Sequence, residues 1–325
     1  MPEPSATSGG SIGESSSQGQ VLCMLSDVRS GSTLLAQLLG AHSQIISAGE
    51  LQWLRAYALN DRRMYDPPHG LVCACGASFH DCEFWRSVCG SVGQPVSGLR
   101  VMPRFFRWYD PDNAGPAYRR LPSRFIRRFA ALSRLRAVQA IYGGNRIARD
   151  NMTVFDAIAL CTKARHIVDS SKNVLRARLL AEWFPKRVRL LVLYRDYRAV
   201  IHSKMKRGES LEGSAHSWVV KMREIESLAR DVPPSMLIKL RYEDLCMNPA
   251  TELTRVCRFL GVAFEPQMLR RSAAVNHDLG GSTSKFEPGN REIQLDSGYL
   301  RELSSAQLDR MRAIVGTTAA NCGYD

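Results

Sequence analysis

The chain has 325 residues, 45% of them hydrophobic, with 44 Lys and Arg against 31 Asp and Glu for a formal net charge of +13. That apolar content suffices for a large core in one α/β domain and excludes general disorder, while no run is long and apolar enough to predict a bilayer span. A basic protein attracts anions without its charge naming them. Nine cysteines form an odd set, and Cys23, Cys161, Cys246 and Cys257 lie in apolar patterns, which argues against a pervasive disulfide framework and for a reduced, cytoplasmic protein.

Residues 1–19, MPEPSATSGGSIGESSSQG, are small and polar and lack the basic start and apolar stretch of a secretory signal. They read as a disordered tail, with a single domain expected over 20–325. Residues 21–25, VLCML, read as a buried strand, and STLLAQLLG as a helix with Ser32 near its start and Gly40 as its stop. A strand, turn and helix in that order aim free backbone N–H groups and the positive end of the helix dipole at whatever lies above the turn. Gly31 lets the backbone approach an anion, and Ser32 and Thr33 add hydroxyl donors. The GxxxxGK[ST] spacing is absent, which counts against an ATP-hydrolysing loop with its metal site. A purely structural turn would use the same residues. His42, just past Gly40, reads as a histidine stabilising a helix end.

From about 55 to 160 the chain shows helical runs without a clear strand series, so an insertion or helical cap is expected there. The segment CACGASFHDCEFW holds Cys73, Cys75 and Cys82, with His80 and Cys89 close by. These are metal-ligand types, yet Cys-x-Cys differs from the usual Cys-x2-Cys knuckle and no second paired half follows. A zinc site and a reduced, packed cluster both stay open. Residues 101–150 hold 11 arginines against Asp110, Asp112 and Asp150. Leu121, Phe125, Phe129 and Leu132 recur at helical spacing among them, which reads as amphipathic helices with either a solvated basic face or one that draws in an acidic acceptor or anionic lipid. No aromatic platform or groove-reading motif accompanies the arginines, so nucleic acid is not an expected partner.

Further on, HIVDSS (166–171) precedes the helical KNVLRARLLAEWF, and VRLLVLYRD (188–196) precedes YRAVIHSKMK. MLIKLRYEDL follows, after which Asn248 and Pro249 suit the cap and first turn of ATELTRVCRFL, stopped by Gly261. Short apolar strands alternating with helices predict a parallel sheet covered on both faces, a three-layer α/β/α architecture. Ligands in such sheets collect at the carboxyl ends of strands, where residues 29–33, 170–172 and 195–203 all fall.

RSGSTLLAQLLGAHSQIISAGE resembles the first signature of the sulfotransferases that use 3′-phosphoadenosine 5′-phosphosulfate (PAPS), particularly the tyrosylprotein type and its bacterial relatives. The resemblance implies a P-loop NTPase-like core in which Arg29, Ser30, Gly31, Ser32 and Thr33 bind the 5′-phosphosulfate and Glu50, in the Gly-Glu pair, is the general base. VLYRDYRAVIHS is similar to the family's 3′-phosphate signature and carries over Arg195 and Ser203. Lys172 in VDSSKN stands where the family places a lysine near the sulfuryl group, Tyr242 in LRYEDL where it has a strand-end tyrosine that can touch the nucleotide. NHDLGGSTSKFEPGNREIQLDSGYLRELS is similar to the loop that closes over the co-substrate; Ser282 replaces its usual asparagine, and Lys285 or Arg291 is the basic lid residue. Similar Cys-x-Cys-Gly and Cys-x-Phe-Trp runs also occur in bacterial relatives.

The resemblance thus implies transfer of a sulfuryl group from PAPS to a hydroxyl or amine of a carbohydrate, peptide or small molecule, releasing adenosine 3′,5′-bisphosphate. Such chemistry is mainly alignment and stabilisation of charge on the leaving oxygen, and it demands no metal. Glu50 would take the acceptor's proton while Arg29 and Lys172 steady the departing nucleotide. Two other readings fit the same elements: a kinase of related fold, which would need a phosphate-loop lysine, and a non-catalytic module that keeps the anion site.

Overall fold

A computed structural model describes residues 19–102, 143–270, 276–286 and 292–325. The arginine-rich helical stretch expected from 117 lies almost wholly outside the described residues, as does Arg291. Among them, five strands form one parallel sheet: β1 (Gln20–Leu25), β2 (Ile45–Gly49), β3 (His166–Asp169), β4 (Val188–Tyr194) and β5 (Leu237–Arg241), in spatial order β2-β3-β1-β4-β5.

β1 is central because both of its faces are apolar. Val21, Cys23 and Leu25 enter one core, Leu22 and Met24 the other, as the two-residue period of a strand requires. β4 repeats the division, with Leu190 and Val192 on the first side and Leu191 and Leu193 on the second. Helices α1 (Ser32–Gly40), α8 (Tyr242–Met247) and α9 (Pro249–Leu260) cover the second face through Leu35, Leu38, Leu245, Leu253 and Val256. The opposite face is covered by α4 (Gly144–Thr162), α5 (Val174–Trp183), α6 (Tyr197–Met205) and α7 (Leu211–Asp231), which bury Phe155, Leu180, Val200 and Trp218. α2 (Leu54–Leu59) and α3 (Glu83–Val92) extend the same core, and α10 (Tyr299–Glu302), α11 (Ser305–Val315) and α12 (Thr317–Asn321) close the chain.

Local chemistry sets the element ends. Asn173, Asp196 and Ser210 each accept a backbone N–H from the first turn of α5, α6 and α7. Pro249 starts α9 and Gly261 ends it with left-handed φ, as the sequence predicts. β2 is an addition to the predicted set. Ile45 and Ile46 are its only strong strand formers before Ser-Ala-Gly, and it is recruited by pairing with β3, with an irregularity between Ser47 and Gly49.

His166 opens β3 fully buried, and neither ring nitrogen has a hydrogen-bond partner among the described residues. Burial, then the nearby positive charge of Arg165, His42 and Arg189, pushes its pKa down to about 4 from an ordinary 6.5. The unfolded chain therefore binds a proton before the folded one does. Stability is full above about pH 6.5 and declines as pH falls toward 4. His166→Leu is expected to flatten the melting temperature against pH in that window, measured by differential scanning calorimetry; an unchanged slope would reject His166 as a source of the acid sensitivity.

Candidate active site at the strand carboxyl ends

The carboxyl ends of all five strands supply the walls of one cavity of about 1240 Å³, lined among others by Arg29, Gly31, Glu50, Lys172, Arg195 and Tyr242. Residues as far apart in sequence as Arg29 and Tyr242 meet there because parallel connections bring every strand out on the same edge.

The loop after β1 delivers Gly31, Ser32 and Thr33 to the cavity, while Ser30 is buried below it. Gly31 has φ +85°, and a Cβ there would collide with the Tyr242 ring, so glycine is required both for the turn and for the close approach. α1 begins at Ser32, with its free N–H groups facing the loop. Arg29 also holds a left-handed φ, +69°. Arg29 lines the cavity and its Nε donates to Ser203 Oγ at 2.9 Å, joining the β1 loop to α6. The structure thus brings Arg29 to the serine of the second signature, while Ser203 itself is not among the residues that line the cavity.

Arg195, at the end of β4, donates through one terminal nitrogen to the Arg29 carbonyl at 2.8 Å and through the other to Asp296 Oδ2 at 2.9 Å. Its guanidinium lies over the Tyr242 ring, 4.5 Å from the centroid. Arg195 Nε is buried and has no partner among the described residues. Burial, then the like charges of Arg207 and Arg195, pushes Arg29 below the usual arginine value. Three guanidiniums so gathered repel one another, and Asp296, paired with Arg195, offsets part of that charge.

Glu50 caps the end of β2 and is 8% exposed. Its carboxylate is surrounded by donors: Lys172 Nζ stands 2.5 Å from Oε1, Trp53 Nε1 3.1 Å and Gln52 Nε2 3.4 Å from Oε2. Lys172 Nζ also donates to the Ser170 carbonyl at 3.0 Å. Lys172 has φ +59°, so both candidate cations, Arg29 and Lys172, sit in the left-handed region, which costs about 1–2 kcal/mol per non-glycine residue and is held by the surrounding structure. Behind Glu50, the backbone of Leu279 accepts from the Glu50 N–H at 2.7 Å, and Gly280 packs against its side chain.

Lys285 does not line the cavity. Its buried ammonium donates to the carbonyls of Asp278 and Gly280, at 3.1 and 2.7 Å, bracing the loop from within. Ser282, its neighbour, does reach the cavity wall. His42 is also elsewhere, its Nε2 meeting the Ala263 carbonyl at 2.8 Å and not a carbonyl of α1. Sequence reasoning missed Trp53, Gln52, Arg207 and Asp296. Trp53 and Gln52 sit within three residues of Glu50 and could have been sought as its donors; Asp296 is 101 positions from Arg195, with no local signal to join them.

Fold and cavity together define an α/β protein of P-loop NTPase-like arrangement that gathers cations and one carboxylate at a parallel-sheet edge. The chain belongs to the sulfotransferase family, whose model matches residues 94–266, more than half of its length. It is similar to protein-tyrosine sulfotransferase 2 of Gallus gallus, 22% identical over 177 residues, covering 50% of this chain and 47% of that protein. It spans about half the length of the curated relatives it matches. Among solved structures it superposes on the sulfotransferase domain from the curacin biosynthetic pathway with a TM-score of 0.52 and 19% identity, over 94% of this chain and 98% of that one. The sulfotransferase domain of the Synechococcus PCC 7002 olefin synthase gives 0.50 and 19%, over 94% of each. The family match supports sulfuryl transfer in general. No helix among the described residues is long and apolar enough to cross a membrane.

Proposed function

We propose that the protein transfers the sulfuryl group of PAPS to a hydroxyl or amine acceptor, with Glu50 as general base. The observation that carries this reading is the single cavity with the Glu50–Lys172 pair on one wall and the Gly31 turn, Arg29 and Arg195 on the others. PAPS carries phosphate at two separated positions, and the cavity offers two kinds of anion grip: backbone N–H groups at the start of α1, and arginine forks beside β4.

The Gly31 turn and the α1 N-terminus hold the 5′ end, where the phosphosulfate bond breaks. The Arg195 guanidinium, and Ser203 beside Arg29, hold the 3′-phosphate, while the Tyr242 ring flanks this end. Glu50 accepts the acceptor's proton as its oxygen or nitrogen attacks sulfur, and Lys172, already beside Glu50, stabilises negative charge on the leaving phosphate oxygen. A carboxylate oxygen has more than one lone pair, so the donors from Lys172, Trp53 and Gln52 orient Glu50 without exhausting its capacity to accept. The acceptor enters past Trp53, whose ring stacks on Tyr65 at 4.4 Å, an apolar wall suited to holding a ring or chain beside Glu50. The loop lacks the lysine of a nucleotide-hydrolysing turn, which disfavours the kinase reading.

The test is incubation with labelled PAPS against a panel of glycans, peptides and metabolites, alongside calorimetric titration with adenosine 3′,5′-bisphosphate. Label transfer and bisphosphate binding support the reading; binding of ATP with magnesium, and none of the bisphosphate, would sink it in favour of a kinase. Arg195→Ala removes charge-assisted hydrogen bonds of about 1.5–3 kcal/mol, so bisphosphate affinity is expected to fall roughly 10- to 150-fold. Affinity for adenosine 5′-phosphate, which lacks the 3′ group, should change far less. Equal losses for both nucleotides would take Arg195 away from the 3′ position.

A further inference from the structure

Away from the cavity floor, the cysteine run of the insertion meets a residue that no sequence spacing connects to it. The Sγ atoms of Cys73, Cys75 and Cys82 and one ring nitrogen of His277 all lie within 4.8 Å of one another. His277 Nδ1 stands 3.3 Å from Cys82 Sγ and 3.7 Å from Cys73 Sγ, and Cys82 Sγ is 3.7 Å from both Cys73 and Cys75. A zinc ion with bonds of about 2.3 Å to sulfur and 2.0–2.1 Å to nitrogen, in tetrahedral geometry, sets its ligand atoms roughly 3.5–3.8 Å apart. We propose that Cys73, Cys75, Cys82 and His277 form a structural zinc site that fastens the insertion to the loop behind Glu50.

The backbone prepares each ligand. Cys73 and Cys75 sit on a tight turn: Cys73 N–H donates to Ala77 O, Gly76 N–H donates to Cys73 O, and Gly76 takes φ +89°, as a knuckle that points two sulfurs one way requires. Cys82 is the N-cap of α3, which fixes its sulfur at the start of that helix. The His277 ring stacks on Phe84 at 4.7 Å, and its carbonyl accepts from Trp85 Nε1 at 2.9 Å, so Nδ1 is presented by fixed neighbours. Binding releases three thiol protons to solvent; three thiolates, a neutral imidazole and Zn²⁺ then sum to one negative charge. The buried Lys285 ammonium, held on the Asp278 and Gly280 carbonyls next to His277, supplies the opposite sign. Four protein ligands leave no open position, which makes the site structural, and the thiolate-rich set selects zinc over magnesium or calcium.

Its position gives it a role in the transfer site. His277 begins the segment whose Leu279 backbone pairs with Ala48 and Glu50, whose Gly280 N–H donates to Tyr57 OH at 2.8 Å, and whose Gly281 and Ser282 line the cavity. Without metal, the Cys73 turn and this segment share a few hydrogen bonds, among them Ala74 N–H to Asp278 O at 3.1 Å. With it, they become one cross-linked unit.

The full chain, purified under reducing conditions and dialysed, is expected to hold about one zinc per molecule by plasma mass spectrometry, and cobalt exchanged into it should show the visible bands of a tetrahedral thiolate site. Cys75→Ser, at the exposed ligand, and His277→Ala should each lower zinc occupancy to about a tenth or less while far-ultraviolet circular dichroism is retained. A chelator should lower the melting temperature and speed hydrogen exchange across 276–286, with zinc restoring both. A folded, reduced chain that neither contains nor takes up zinc would overturn the proposal, as would zinc content unchanged in both variants. A Cys73–Cys82 or Cys75–Cys82 disulfide recovered from the reduced preparation would also overturn it.

Discussion

Glu50→Gln is expected to lower kcat by roughly 10²- to 10⁴-fold, the span that a positioned general base contributes, with affinity for adenosine 3′,5′-bisphosphate little changed. The substitution conserves shape and leaves an oxygen to accept from Trp53 or Lys172, but an amide cannot take the acceptor's proton. A rival role must be separated from this one, because Lys172 Nζ lies 2.5 Å from Glu50 Oε1 and losing the charge also frees the lysine. The two roles respond differently to the acceptor. If Glu50 accepts the proton, an acidic phenol needs less help than an alkyl alcohol, so the loss in Glu50→Gln should shrink as the acceptor's own pKa falls. If Glu50 only positions Lys172, the loss is equal for both acceptors and matches that of Lys172→Met. Single-turnover rates on two acceptors of differing acidity decide the matter; retention of more than about a tenth of kcat on the alkyl acceptor would remove Glu50 from the proton transfer.

What made much of this site readable is that its parts sit at strand ends, and strand ends are marked by apolar runs that stop. VLCML before Arg29 and VRLLVLY before Arg195 are long enough to be seen as buried strands, so the polar residues that follow could be placed at a sheet edge. Ile45–Gly49 lacked that signal: its last residues are small, and its strand form comes from pairing with β3. Glu50 could therefore be placed by family resemblance but not by its own strand. The side-chain pairings were beyond the sequence for a different reason. Arg29 meets Ser203 across 174 positions, Cys73 meets His277 across 204, and such contacts follow from the three-dimensional course of the chain. Lys285 shows the converse limit. A basic residue after Gly-Gly looks like a lid cation, yet only the folded loop reveals that its ammonium satisfies two carbonyls inside it.

The polar centre that holds the Lys172 turn gives the second large expectation. Arg176 in α5 is 2% exposed and pairs with Asp169 at the end of β3, while its Nε donates to Asn151 Oδ1 at 2.8 Å and to the Val101 carbonyl at 3.0 Å. Asp169 Oδ1 in turn accepts from the Ser171 backbone at 3.2 Å and from its hydroxyl at 2.5 Å, one residue before Lys172. Removing one member leaves a charge buried without its partner, so Arg176→Met and Asp169→Leu are each expected to cost about 3–5 kcal/mol of unfolding free energy. The Arg176→Met, Asp169→Leu double variant should lose clearly less than the sum, because no charge is then stranded. Urea unfolding followed by tryptophan fluorescence measures all three. The pair also tethers the turn on which Lys172 holds φ +59°, so Asp169→Leu should depress kcat at temperatures well below its melting point, through Lys172 and not through bisphosphate affinity. Single variants within about 1 kcal/mol of the parent, or a strictly additive double, would show that the pair does not anchor the sheet edge on which the candidate site stands.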